Sequence, residues 1–253
     1  MIECKKSKYI IGNSDYVRVT TVCNILSTGD ALIQWAANCT AEYIAEHYED
    51  NMTPSDVKTL SNKARFSFRD VSKEARDIGS EVHEIISQYI KAKIHGDELD
   101  LTKYNTYKDE VENGFLAFLD WEKINNVEWL DSEFVVHHDD LFYAGRVDGL
   151  CCINGRLTLV DFKTAKGFYD GYDLQLYAYK MAVVYMTNNL IYFDPKIFNE
   201  TDELDIGVLR LDKETGLPEY KDYSEKYNPD AFRDLVNFYY GYKKRRLSNR
   251  RTA

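Results

Sequence analysis

Two aspartates and a lysine dominate the chemistry written into this chain. Asp148 lies in Gly145-Arg146-Val147-Asp148-Gly149, and Asp161 and Lys163 lie in Leu159-Val160-Asp161-Phe162-Lys163-Thr164. Between the two runs stands Asn154-Gly155, a strong signal for a two-residue hairpin loop. Such a loop fixes the register, so that Cys152 faces Leu157, Leu150 faces Leu159 and Asp148 faces Asp161. All six then share one face of the sheet with Lys163, because strand side chains alternate with period two. Facing Cβ atoms stand about 4.5–5.5 Å apart, where like charges repel. Two carboxylates at the open end of an apolar face therefore call for a cation. Mg²⁺ is held by one or two carboxylates together with waters and phosphate oxygens. It lowers the pKa of a bound water and neutralises charge developing on a phosphate, and a second ion can hold the leaving oxygen. The Lys163 ammonium can orient the attacking water or stabilise the added negative charge. The bland alternative is a surface hairpin whose charges are solvated, with Lys163 paired to Asp161. The apolar neighbours Leu150 and Leu159 make simple solvation less comfortable.

Other residues can join such a site. His83 sits at the margin of a helical apolar stripe, one turn after Gly79, and reads either as a satisfied helix histidine or as a ligand. Neutral imidazole is a common ligand. It is softer than Mg²⁺ prefers and would broaden use toward Mn²⁺. If Asp139-Asp140 forms a two-residue turn, Glu133 faces Arg146 and lies diagonal to Asp148. It is then either the partner of Arg146 or a further acid of the metal site, and one residue of slippage would flip it to the opposite face. Gln175 and Tyr179, four apart, share a helix face that is either a polar surface packed at the sheet edge or a DNA contact. Arg65, Arg69 and Lys166 are candidate phosphate contacts, and Tyr169 and Tyr172 could stack on bases. His137 and His138, in tandem on a strand, point opposite ways and suit no shared metal.

The elements that must position these groups can be read in outline. Residues 1–22 look irregular or briefly extended, ending in a β-branched run. A helix starts near Ser27-Thr28-Gly29-Asp30. Leu32, Trp35, Ala36, Cys39, Tyr43 and His47 continue it at helical period. Pro54 marks a break, a long amphipathic helix covers 70–94, and another covers 103–123. Strands follow at 127–138, 141–153 and 156–164, then a helix at 170–187, strands at 190–193 and 206–211, and a closing helix at 229–244. The order predicts an α/β domain with a mixed central sheet flanked by helices. One domain is expected over 1–253: a mainly helical part (1–126), a catalytic core (127–195) and a C-terminal strand, helix and basic tail (196–253).

Composition narrows the setting. Net charge is −10, so any nucleic-acid footprint must be local. The one dense basic run is the tail, Lys243-Lys244-Arg245-Arg246 and Arg250-Arg251, a feature more often solvated than specific. Binding to DNA against this charge should be strongly salt-sensitive. No apolar run reaches the length of a membrane span. The start also lacks the pattern of a signal peptide, so a cytoplasmic location is expected. The five cysteines form no C-x-x-C pair, and Cys151 and Cys152 read as packed small hydrophobes.

Asp148, the step to Asp161, and Asp161-Phe162-Lys163-Thr164 together resemble the core motif of the PD-(D/E)XK nuclease superfamily, in its RecB-like branch of phage and viral exonucleases. Upstream, Gly79-Ser80-Glu81-Val82-His83-Glu84 resembles that branch's G-T-x-x-H helix. Downstream, Gln175-Leu176-Tyr177-Ala178-Tyr179 resembles its Q-x-x-x-Y helix. Arg18-Val19-Thr20-Thr21-Val22 with Leu32-Ile33-Gln34-Trp35-Ala36 is similar to the N-terminal region of phage members. The resemblance spans roughly 17–195. It implies a restriction-endonuclease-like fold and a Mg²⁺- or Mn²⁺-dependent deoxyribonuclease, chiefly an exonuclease. Asp148, Asp161 and Lys163 would be catalytic, with His83, Asp148, Asp161 and Glu133 as metal ligands. Gln175, Tyr179, Lys166 and Arg65 would meet DNA. A non-catalytic DNA-binding module on the same fold and an endonuclease are the alternatives. Partners would be single-stranded DNA or duplex ends, with a homo-oligomer or a recombination or replication partner open. Some members of the branch carry an iron–sulfur cluster on one upstream and three downstream cysteines. No cysteine follows Cys152, so no such cluster is expected.

Overall fold

The hairpin register read from Asn154-Gly155 is the one the structure adopts: Leu150 pairs with Leu159, and Cys152 with Leu157. Asn154 (φ 51°) and Gly155 (φ 82°) both take the left-handed backbone that such a tight loop needs. The structure is a computed structural model that describes residues 2–5, 8–26, 29–99, 108–189, 191 and 203–251, without the side chains of 30, 31 and 244–251.

Three short strands open the chain, β1 (Ile2–Lys5), β2 (Lys8–Ile11) and β3 (Ser14–Arg18), followed by helix α1 (Val19–Cys23). Helices α2 (Gly29–His47), α3 (Pro54–Ala64), α4 (Ser67–His95) and α5 (Asp109–Ile124) come next. Then come β4 (Glu128–His138), β5 (Tyr143–Ile153), β6 (Arg156–Lys163), α6 (Tyr172–Asn188), β7 (Asp205–Leu211), β8 (Pro218–Asp222) and α7 (Pro229–Arg251). The strands form one mixed sheet in the order β1-β2-β3-β5-β6-β7-β8, with β4 paired to β5. β3 runs parallel to β5 and β6 parallel to β7, while the other pairs are antiparallel. The expected α/β architecture, a mixed sheet flanked by helices, is therefore present.

One edge of β5 is shared by two partners, and this creates the opening that matters. β3 pairs with Tyr143 and Ala144, and β6 joins only from Gly149 onward. Residues 145–148 thus have no ladder partner on that edge, while β4 occupies the other. Val147 and Leu150, three apart, both enter the core beneath α6, so side-chain alternation slips between them. Opposite the slip, Glu133 takes a left-handed backbone (φ 57°) and is skipped by the β4–β5 ladder.

The sheet is covered on both faces. Leu150, Leu157 and Leu159 pack with Leu176, Ala178 and Met181 of α6. On the other face Phe162 meets Phe118 (5.6 Å) and Trp129 (6.1 Å) edge-on. There the buried Glu122 accepts from Trp129 Nε1 at 2.6 Å and Tyr89 OH at 2.8 Å and pairs with Lys93 at 2.9 Å. A buried carboxylate so fully partnered is structural.

Contacts divide the chain into two units, 1–26 with 82–253, and 27–81. Within the second, Thr53 caps α3 through a reciprocal bond pair with Asp56, and Pro54 occupies the first turn. Cys39 of α2 is buried, whereas Leu32, Ile33 and Trp35 stay exposed.

Several sequence expectations need correction. Asp139-Asp140 is not a two-residue turn: His138 pairs with Tyr143, so the loop holds four residues and β5 begins at Tyr143 rather than 141. Phe142, in the left-handed region (φ 50°), supplies part of the reversal. Val135, not Glu133, therefore faces Arg146. The opening stretch, expected to be irregular or briefly extended, forms a strand meander whose β2–β3 turn falls at Gly12 (φ 60°) and Asn13, a Gly-Asn hairpin pair. β8 was also not foreseen. The strand expected at 190–193 lies outside the described residues, Ile191 excepted, as does the start of the helix expected from 103.

Candidate active site

Asp148 sits in the gap left on the β5 edge. The ladder between β5 and β6 stops at Gly149–Val160, one pair short of Asp148 and Asp161. In place of the next ladder bond, the Phe162 N–H donates to Asp148 Oδ2 at 2.8 Å. The carboxylate thus points along the sheet toward β6, and Ser132 Oγ holds the Asp148 carbonyl from the β4 side at 2.9 Å. Asp148 and Asp161 are neighbours, as the sequence suggested, but a side chain has replaced the expected ladder pair.

Asp161 is 2 % exposed and belongs to a polar cluster beneath α6. Lys163, two residues on along β6, forms an ion pair with Asp161 Oδ2. Gln175 Nε2, on the first turn of α6, donates to Asp161 Oδ1 at 2.8 Å and to Tyr179 OH at 2.9 Å. Lys163 Nζ in turn donates to Gln175 Oε1 at 3.4 Å and lies 5.0 Å from the Tyr172 ring centroid. The four-residue spacing of Gln175 and Tyr179 puts both on the helix face that meets the sheet.

His83, on α4, brings Nδ1 to 3.5 Å from Asp148 Oδ1 and lays its ring against Phe162. Glu133 completes a three-residue set: one ligand atom each from His83, Glu133 and Asp148 lie within 4.8 Å of one another. Glu133 also binds Arg146 at 3.0 Å, so the ion-pair reading of this residue is the one observed, while its carboxylate still stands within reach of His83 and Asp148. Asp161 is outside that triad, because Lys163 and Gln175 engage its two oxygens.

The charges are strongly coupled. Burial alone would raise the Asp148 carboxyl, but His83, Lys163 and the Phe162 N–H outweigh it and hold Asp148 below its usual range. Burial dominates at Asp161 and, with Asp148 nearby, lifts it to about 6 despite Lys163. Burial works against charge on His83 and Lys163, yet the aspartates prevail and raise both. Burial beside two aspartates pushes the Tyr179 phenol well above its ordinary value, so it stays protonated.

A cleft of about 210 Å³ leads to Asp148 through the gap in the sheet, lined among others by Arg18, Thr20, Glu133, Arg146 and Tyr179. Arg18 and Thr20 were not singled out as site residues, since nothing local signals that β3 pairs with β5. Lys166 is not brought to the cluster: it pairs with Glu214 at 3.1 Å and is largely exposed. Arg65 stands in the second unit. His137 binds Asp139 at 2.7 Å while His138 stacks on Tyr185, so the tandem histidines do point apart. All five cysteines are free. Among the described residues, no helix is long and apolar enough to cross a membrane. Compared with known proteins, the chain matches no family model and no curated protein sequence.

Glu133 offers a clean separation of binding from folding. Asparagine tolerates left-handed backbone better than glutamate does, and the Arg146 pair is half-exposed and worth at most about 1 kcal/mol. Glu133→Asn should therefore keep the melting midpoint within a few degrees of the parent. If the triad holds a cation, Mn²⁺ affinity read by calorimetry should fall about tenfold or more. Unchanged affinity would remove Glu133 from the ligand set.

Proposed function

We propose that this protein is a divalent-cation-dependent hydrolase of DNA phosphodiesters, an exonuclease of the RecB-like PD-(D/E)XK type with a restriction-endonuclease-like core. The carrying observation is the convergence of Asp148, Asp161, Lys163, His83 and Gln175 at the gap between β5 and β6. The donor set fits a hard cation. Asp148 and Glu133 supply carboxylate oxygens, and His83 adds one nitrogen that favours Mn²⁺ alongside Mg²⁺. When bound, the cation would supply Lewis acidity and a more acidic water.

The chain's own groups have separable tasks in this reading. His83, Glu133 and Asp148 would hold the cation, with Asp148 oriented by the Phe162 N–H. Asp161, its two oxygens engaged by Lys163 and Gln175, would hold the Lys163 ammonium in place beside the reacting phosphate. Lys163, kept cationic by the two aspartates, would stabilise negative charge building on the phosphate. Arg146 and Arg18 line the approach and favour a polyanion there.

The test is incubation of end-labelled single- and double-stranded DNA, and of a closed circle, in Mg²⁺, Mn²⁺ or EDTA. Metal-dependent shortening of the linear substrates, with the circle spared, is expected. If metal binds and no substrate is cut, hydrolysis is the wrong reading.

A further inference from the structure

The second unit, 27–81, carries a surface that the hydrolytic site does not use. All six of its lysines and arginines fall within 58–76, where only two acids, Asp70 and Glu74, accompany them. At the centre of this stretch α3 ends at Ala64 and α4 begins at Ser67. The elbow is pinned from inside. Ala64 and Ser67 are buried, and Ser67 Oγ donates to the carbonyls of Ala64 (2.9 Å) and of Cys39 on α2 (3.1 Å).

With its backbone so fixed, Phe66 turns outward and is 42 % exposed. The Arg69 guanidinium lies 4.4 Å from its ring centroid and that of Arg65 5.2 Å. Arg69 also reaches within 5.8 Å of the Phe68 ring, which meets Trp35 edge-on. The elbow thus presents an aromatic ring and two guanidinium planes side by side at the surface, the combination on which unpaired bases stack.

We infer that this elbow is a platform for single-stranded DNA, an inference that rests on the DNA reading of the hydrolytic site. Unpaired bases would stack on Phe66 and on the guanidinium planes of Arg65 and Arg69, and the flanking cations would follow the phosphates. The six cations of 58–76 against two acids give the elbow a local positive balance that suits a polyanion, in a unit that carries ten acids against six cations overall. The aromatic ring adds preference for bases free of a duplex, whose faces are available for stacking.

The experiment is fluorescence anisotropy of the full chain with a labelled oligothymidine of about twenty nucleotides, in EDTA so that cleavage plays no part. Phe66→Ala should weaken binding about tenfold. The double change Arg65→Ser, Arg69→Ser should flatten the slope of log affinity against log salt by about 1.4, or about 0.7 per lost contact. Melting midpoints should stay at the parent value. Parent-like binding by both variants overturns the platform, as does equal affinity for a duplex that Phe66→Ala leaves unchanged. So does a parent that binds no oligonucleotide but dimerises through Phe66 in sedimentation. Cleavage by a protein whose elbow variants bind normally would sink the platform alone. An absent cleavage activity with Phe66-dependent binding would sink the hydrolase alone.

Discussion

On the proposed hydrolase reading, Lys163→Ala should cut DNA about a thousandfold more slowly than the parent, the loss expected when a positioned charge-stabilising donor is removed from a water-poor site. The same change tests how the buried charges are balanced. Among the described residues Asp161 would be left with Gln175 as its hydrogen-bond partner, and a buried carboxylate stripped of its cation is strongly unfavourable while ionised. Asp161 already titrates near 6 with Lys163 beside it, and Lys163 is the strongest influence lowering it. Its removal must push the value higher. A carboxyl whose folded pKa exceeds its unfolded value near 4 binds more protons when folded, so its contribution to stability is lost as pH rises through the folded value. In EDTA the variant should therefore melt close to the parent below about pH 6 and fall progressively behind it toward pH 8. Cleavage at the parent rate would remove Lys163 from the catalytic machinery. A melting difference independent of pH would show that Asp161 does not depend on Lys163 for its charge.

The parts of the site that were legible in the sequence are those set by short-range rules. Asn154-Gly155 dictates a two-residue loop and the register from Gly149–Val160 inward, which brings Asp148 near Asp161 and Lys163 although not as a ladder pair. The Gln175–Tyr179 pair was legible because helical spacing is fixed. Glu133 was not, because its position depends on a four-residue loop for which Asp139-Asp140-Leu141-Phe142 carries no unique turn signature. The left-handed backbone at Glu133 then breaks alternation in a way no residue pattern announces. Least legible was the cleft itself. It exists because β3 and β6 share one edge of β5, and a parallel pairing between Arg18 and Ala144 is a long-range event with no local cause. Lys166 lies near the motif in sequence but beyond the end of β6, where its exposed side chain pairs with Glu214 instead of joining the cluster.

Gly145→Ala should disturb the site strongly while touching no charged group. A Cβ at this position would overlap Cε1 of the Tyr179 ring and stand 3.0 Å from Val19 Cγ2. Neither neighbour can yield cheaply. Val19 is buried, and Tyr179 is buried with its hydroxyl tied to Gln175, which in turn holds Asp161. Overpacking of this kind costs about 1–3 kcal/mol, a drop of several degrees in the melting midpoint. The larger effect should be on activity. If the Tyr179 ring moves away from β5, Gln175 must follow or lose its bond, and on the proposed reading the Asp161–Lys163 pair that Gln175 holds would shift against the phosphate. A misplacement of about 1 Å costs on the order of a hundredfold in rate. Coupling can be separated from simple destabilisation by the double change Gly145→Ala, Tyr179→Ala. It removes the overlap, so its rate should equal that of Tyr179→Ala alone, and the two effects should not add. Additive losses would mean that Gly145 acts on stability without passing through Tyr179, and the chain of contacts from β5 to Asp161 would then have no part in positioning the acid.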